Sequence, residues 1–252
     1  MIRGYLTIAV MSIVLAVAAQ PGTIVPANIR AINNIERLTY LNSTAGNEMI
    51  YGVPVPEGKV IGDTYLHREW KRSAILLYAG EKLIEGFPVR YDIRTDELEV
   101  KTSGGIKALE GRNVRSFTWI DSLRTEPYFF INAKEFKNEG VQMAGFMEVL
   151  VDGKLPLLKK INISIKKADY NVALSVGSRD DKILKQPAYF VFSEKVGELK
   201  EIPGSKKKLM PVFQTKAEEM EKYIGANDLS VKKEEDLIKI ITHYNRLLNA
   251  NP

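Results

Sequence analysis

The chain has 252 residues, and its 36 basic and 31 acidic side chains give a formal net charge of +5 at pH 7. Hydrophobic residues make up 45% and charged residues 27%, which is ordinary globular usage and excludes a disordered polymer. The absence of cysteine excludes a disulfide-stapled scaffold, a cysteine nucleophile and a lipid-modified N-terminal cysteine.

Residues 1–19 have the pattern of a secretory signal peptide. Arg3 gives a positive start, Leu6–Ala18 is almost wholly apolar, and small residues close the segment at Ala16–Ala19. The apolar run is shorter than the about 20 residues of a spanning helix, which favours cleavage over a retained anchor. We expect an exported protein with no transmembrane segment after cleavage, in the periplasm or outer envelope of a Gram-negative bacterium.

Residues 20–60 are predicted to form an irregular segment. Prolines at positions 21, 26, 54 and 56 interrupt any regular element there. Apolar residues recur at spacings of three, which predicts at most one short amphipathic helix, through Ile29, Ile32, Ile35 and Leu38.

Residues 61–202 are predicted to form an antiparallel β domain, because the hydrophobic period there becomes two. Val89–Arg94 alternates apolar and polar residues, Thr95–Glu97 forms a turn, and alternation resumes over Leu98–Lys101. Such a close return indicates an antiparallel hairpin with one face buried.

A second hairpin is predicted around Asp152-Gly153, a pair that tolerates the positive φ of a two-residue turn. It joins Val149–Val151 to Leu155–Ile165, in which Ile161, Ile163 and Ile165 point to one side. Further predicted strands are Ala74–Tyr78, Ile106–Leu109, Val114–Trp119, Tyr128–Ile131 and Tyr189–Phe192. Their spacing predicts a mainly β (α+β) fold in which a meander curls into a sandwich or partial barrel.

Residues 203–252 are predicted to form a C-terminal αα-hairpin packed on the sheet. Phe213 and Ile224 share one helix face, Gly225 is expected to end the first helix, and Asp228 or Ser230 to cap the second. The second helix carries an apolar stripe that must be buried: Leu237, Ile238, Ile241, Tyr244, Leu247 and Leu248. Docking of that stripe on another protein is the alternative.

The excess of positive charge is concentrated in Lys159-Lys160, Lys166-Lys167 and Lys206–Lys208. Two of these groups lie on alternating strand sequence, so we interpret the lysines as the solvated side of strands. They lack the interleaved aromatic residues and the motifs of a nucleic-acid interface, and no nucleic-acid partner is expected.

Several short motifs resemble those of a group of exported, signal-peptide-bearing β-rich proteins of Bacteroidota-type bacteria. They span most of the chain: Gly62–Tyr65 with Glu69-Trp70, Val89–Asp92, Gly145–Leu150 with Asp152–Lys154, Ala168–Asn171 with Val176–Ser178, Lys206–Leu209, and Tyr244-Asn245. The resemblance implies an exported protein with a β-then-α layout, and it implies no activity.

Catalytic and metal-binding patterns are weak. The two histidines, His67 on a predicted strand and His243 on a predicted helix, lack partners at metal-ligand spacing, so neither a metal nor a cofactor is expected. Nucleophile motifs are absent. A pair of carboxylates of the glycosidase type remains open, with Glu69 beside Trp70 and Asp121 near Trp119 as the most suggestive placements.

Aromatic residues in the predicted strands give the remaining functional indication. Most are expected to fill the interior, but in a partly curled sheet some could line an apolar groove. The candidate ligand-binding residues are Trp70, Tyr91, Trp119, Tyr128 and Phe130.

The leading hypothesis is an exported, non-enzymatic envelope protein that acts by binding an envelope protein, a lipid or a glycan. The alternatives are a carrier of a lipid or other hydrophobic ligand in a β-groove, and a carboxylate-dependent glycan hydrolase. The first rests on the signal peptide together with the lack of a catalytic motif.

Overall fold

The computed structural model describes residues 58–120, 127–193 and 197–250. All of them belong to the second of two units into which the chain divides, Pro56–Pro252. The predicted signal peptide, the predicted helix at Ile29–Leu38 and Asp121 lie outside the described residues. No helix within the described ranges is long and apolar enough to cross a membrane.

The described strands form one mostly antiparallel sheet, as the period of two predicts. They are β1 (Val60–Ile61), β2 (Lys71–Leu77), β3 (Leu83–Asp92), β4 (Glu97–Thr102), β5 (Gly105–Glu110), β6 (Val114–Ile120), β7 (Tyr128–Asn132), β8 (Lys137–Asn138), β9 (Val141–Gln142), β10 (Phe146–Val151), β11 (Leu157–Lys166), β12 (Asp181–Ser193) and β13 (Glu198–Glu201). Their spatial order is β5-β4-β3-β2-β6-β7-β10-β11-β12-β13-β8-β9, and β1 pairs with β12.

Both predicted hairpins are confirmed. Strands β3 and β4 pair antiparallel from Val89↔Val100 to Asp92↔Glu97. Strands β10 and β11 pair as well, but the prediction of a two-residue turn at Asp152-Gly153 is wrong, because the last pair is Val151↔Leu157 and leaves five residues in the loop.

The helices explain this longer loop. Asn245, a buried residue of the last helix, accepts a hydrogen bond from the Leu155 amide at 2.8 Å and donates one to its carbonyl at 2.9 Å. Gly153 has a φ of 144°, and a Cβ there would lie 2.8 Å from the Asn245 Nδ2. The loop conformation is therefore set by a helix some ninety residues away in the sequence.

The sheet curls as the partial-barrel prediction requires. Tyr91 of β3 and Phe146 of β10 are separated in the sheet by β2, β6 and β7, yet their ring centroids are 5.1 Å apart. Four strand spacings of about 4.8 Å would place them nearly 20 Å apart in a flat sheet. The curl encloses a core of aromatic and branched side chains, with Phe117 and Trp119 at its centre.

The two faces of the sheet have different coverings. We call one the helix face, because Leu157 and Val191 on it pack against the C-terminal helices. We call the other the open face; there Leu158 and Phe190 pack with Leu199 of β13 in a smaller core.

Three α-helices follow the sheet: α1 (Lys206–Leu209), α2 (Ala217–Ala226) and α3 (Glu234–Ala250). The apolar stripe of α3 lies in the core of the helix face, as predicted. His243 of α3 stacks on Tyr223 of α2 at 3.7 Å, so the two helices contact each other as a hairpin. The prediction that Asp228 or Ser230 caps α3 is wrong: Ser230 accepts a hydrogen bond from the Lys232 amide in the turn before the helix, and α3 begins only at Glu234.

Three local predictions are wrong. Gly225 does not end α2, because the helix continues to Ala226 and the positive φ falls at Asp228. The His67 segment is a series of bends rather than a strand. Lys159 is not on the solvated side of its strand, since its side chain is only 17% exposed.

Candidate functional site

An apolar pocket of about 540 Å³ lies on the open face, over β7, β10 and β11. The alternation of these strands brings together Phe129, Ile131, Val149 and Leu158, which all point to this face. Other lining residues come from the flanks: Pro127, Phe136, Leu150, Asp152, Pro156 and Phe192. A volume of this size lies within the range of small-ligand pockets, roughly 300–1,000 Å³.

The pocket lies beside the part of the open face that Phe136 covers. The short β8–β9 hairpin brings Phe136 over the sheet, where its ring meets that of Phe192 at 5.9 Å. A bulge between Val149 and Val151 bends the end of β10. Phe129 is consequently left 42% exposed.

The charge around the pocket is simple. Among the described residues of the lining, Asp152 is the single ionisable one, and it lies in the exposed β10–β11 loop. The remaining lining residues are apolar. The arrangement can therefore hold a hydrophobic group, with one carboxylate near the rim.

A second candidate lies on the helix face, where one cross-strand row passes from apolar to charged residues. The register pairs Phe130 with Glu148, Glu148 with Lys159, and Lys159 with Tyr189. Directly paired residues share a face. Glu234, the first residue of α3, completes this polar cluster from the helical layer.

Lys159 joins the two carboxylates of the polar cluster. Its Nζ lies 2.8 Å from Glu148 and 3.1 Å from Glu234, and the Tyr189 hydroxyl donates to Glu234 at 3.0 Å. Burial works to lower the pKa of Lys159, but its hydrogen bonds and charge interactions with both carboxylates outweigh burial and raise that pKa. Burial and the bond to Glu234 raise the pKa of Tyr189 to about 12.

This geometry brings together two acidic side chains distant in sequence, as a glycosidase requires. They are not Glu69, which is exposed and separate from the cluster, but Glu148 and Glu234. Both bind the same ammonium group, which occupies the space between them. The arrangement fastens α3 to the sheet, and it presents no free pair of carboxylates.

His67 lies beside this cluster, over the edge of the aromatic core. Its ring centroid is 5.2 Å from that of Trp119 and 6.1 Å from that of Tyr128. Part of the residue is exposed, yet burial of the ring lowers its pKa first, and the charge of Lys71 lowers it further. The indole N–H of Trp119 is buried and has no hydrogen-bond acceptor.

The five candidate ligand-binding residues do not line one groove. Tyr91, Trp119 and Phe130 are at most 2% exposed and fill the core. Tyr128 is half-buried beside His67. Trp70 lies apart from them, under the Arg90 guanidinium at 4.5 Å.

The open-face pocket was missed by sequence reasoning, although its residues were visible in predicted strands. Phe129 and Ile131 alternate with Tyr128 and Phe130, so the sequence showed that both faces of β7 are apolar. A strand with two apolar faces indicates two covered faces. Which face keeps a gap depends on the β8–β9 hairpin, which the sequence pattern did not reveal.

Among the described residues, no group of three or more histidine or acidic side chains is placed to hold a metal ion. Scans against protein-family models, curated proteins and solved structures each return no match.

Proposed function

We propose that this chain is an exported, non-enzymatic protein of the bacterial envelope that acts by binding a hydrophobic ligand in the open-face pocket. The observation that supports the proposal is the pocket itself, about 540 Å³ lined by converging aromatic and aliphatic side chains. The export part rests on the signal-peptide pattern of residues 1–19.

The lining defines the chemistry of the ligand. A single apolar chain or ring system would cover Phe129, whose exposed surface otherwise remains in water. Removal of apolar surface from water gives about 25 cal/mol per Å². The carboxylate of Asp152 near the rim favours a neutral or cationic polar end over an anionic one.

A neutral fluorescent dye, N-phenyl-1-naphthylamine, tests the pocket directly. Phe129→Glu places a charge in the lining, and we expect it to weaken dye binding about tenfold or more, since an unpaired charge is costly to bury. Leu83→Glu is the matched control, because Leu83 is 56% exposed on β3 and lies outside the pocket. Equal binding by wild type and Phe129→Glu would contradict the proposal.

Competition with single-chain amphiphiles then tests the preferred polar end. Monododecanoylglycerol and dodecyltrimethylammonium are expected to displace the dye at lower concentration than dodecanoate. Asp152→Asn should reduce that difference. Edman sequencing of protein from an envelope fraction tests export, and an intact Met1 on cytosolic material would contradict it.

A further inference from the structure

We propose a second binding site, specific for a small carboxylate with an apolar body, in a separate pocket between the β3–β4 turn and β11. This pocket has a volume of about 240 Å³. The apolar part of its lining comprises Leu66, Ile93, Ala144, Phe146 and Ile161, and the polar part comprises Tyr91, Arg94, Asp96 and Lys160. It shares no lining residue with the open-face pocket, so the inference goes beyond the proposed function.

The pocket arises where β10 and β11 separate. Their pairing begins at Glu148↔Lys159, so Ile161 of β11 has no partner on β10. The chain before Glu148 turns away instead, and the Gly145 carbonyl accepts a hydrogen bond from the Ala133 amide at 2.8 Å. A gap between the two strands results.

Glycine at position 145 is required by this separation. Gly145 has a φ of 77°, which favours glycine, and a Cβ there would lie 3.0 Å from the Tyr91 hydroxyl oxygen. The close approach of backbone and phenol closes one side of the pocket. The wall is thus held by the same curl that brings Tyr91 against Phe146.

The two cationic side chains that line this pocket have hydrogen-bond donors without partners in the described part of the chain. Lys160 is half-buried, and its one hydrogen bond to a described residue goes to the Asn162 amide oxygen, at 3.1 Å. The exposed Arg94 guanidinium makes no ion pair in the described part of the chain, and neither does Lys160. Burial lowers the pKa of Lys160.

Asp96 offsets only one of these two positive charges, and its carboxylate already accepts a hydrogen bond. Its Oδ1 accepts the Tyr91 hydroxyl at 2.7 Å, and its carbonyl accepts the Gly111 amide at 2.7 Å. The charge of Asp96 raises the pKa of Lys160 only in part. The two cationic side chains and the one carboxylate together give the pocket a net positive charge. This charge attracts an anion.

The size of the pocket limits the ligand. A volume of about 240 Å³ equals that of about eight water molecules at ~30 Å³ each. A ligand with one carboxylate and about five or six carbons fits this space. Its carboxylate would take charge-assisted hydrogen bonds from Lys160 and Arg94, and its carbon body would cover Ile93, Phe146 and Ile161.

Isothermal titration calorimetry on the purified protein tests the site with hexanoate and benzoate as probes. Lys160→Met removes the ammonium group and keeps a side chain of similar length, and we expect it to weaken binding about tenfold or more. Arg94→Gln should weaken binding to a smaller extent. Lys166→Met is the matched control, because Lys166 is exposed on the same strand. The affinity of this variant for hexanoate and benzoate should equal that of the wild-type protein.

The neutral analogues 1-hexanol and benzyl alcohol separate charge recognition from simple hydrophobic binding. Carboxylate affinity that exceeds alcohol affinity and disappears in Lys160→Met supports the proposal. Absence of saturable carboxylate binding, equal affinity for alcohols or inorganic phosphate, or unchanged binding by Lys160→Met would overturn it. Phe129→Glu distinguishes the two pockets, because it should weaken dye binding and leave carboxylate binding intact.

Discussion

Replacement of Lys159 by methionine should destabilise the protein strongly, because it leaves a carboxylate buried without its cation. The side chains of Lys159 and Glu148 are only 17% and 11% exposed, and their charged atoms are 2.8 Å apart. Methionine keeps most of the volume, so cavity formation contributes little to the expected loss. The perturbation is therefore chiefly electrostatic.

The expected magnitude follows from burial. Removal of one partner from a buried ion pair costs about 3–5 kcal/mol, and the residual exposure here places the estimate near the lower end, about 3 kcal/mol. Glu234 is 36% exposed, so Glu234→Gln should cost about 1 kcal/mol or less. With a urea m-value of about 2 kcal/mol/M, Lys159→Met should lower the unfolding midpoint by about 1.5 M.

Urea denaturation followed by circular dichroism measures these free energies of unfolding. The double variant Glu148→Leu/Lys159→Met removes both charges and should recover most of the lost stability, because an apolar pair can replace a buried ion pair. A loss below about 1 kcal/mol in Lys159→Met would refute the reasoning. So would a double variant as unstable as the single one.

Three further predictions concern pH and the helix contacts. Folding raises the pKa of Lys159, and it raises that of Tyr189 to about 12. Both groups therefore stabilise the protein below about pH 10, and their contribution should decline as the pH rises toward 12. Alkaline denaturation measures this decline. The His67 ring should titrate below its ordinary value of 6.5 in an NMR titration, with His67→Gln to assign the signal; a midpoint at or above 6.5 contradicts the burial argument. Asn245→Ala leaves both the amide and the carbonyl of Leu155 without partners and should cost about 2–4 kcal/mol in urea denaturation.

Much of the β architecture could be predicted because hairpins are local. The alternation over Val89–Asp92 and Glu97–Val100 fixes which residues share a face, and the short turn between them fixes the partner strand. The same alternation of side chains correctly placed Ile161 and Ile163 on one side of β11. These two residues are half-buried, while Asn162 and Ser164 on the other side are exposed. Neither inference needed a contact distant in the sequence.

The candidate sites could not be predicted in the same way. The alternation of side chains along a strand shows that Phe129 and Phe130 point in opposite directions, but it does not show which of them becomes buried. The curl of the sheet encloses Phe130 in the aromatic core, and the β8–β9 hairpin leaves Phe129 beside a gap. Both outcomes depend on packing between elements that are far apart in the chain.

By itself the sequence determined the fold class, the two main hairpins, the helical C-terminus and the apolar stripe of α3. These features follow from local periodicity, which fixes the direction of each side chain relative to its neighbours. Tertiary structure alone decided that Lys159 is enclosed between Glu148 and Glu234, and that Lys160, the next residue, enters a pocket. The physical reason is that burial and electrostatic surroundings are set by what packs over a strand, and here those partners are a helix and a turn far away in the sequence.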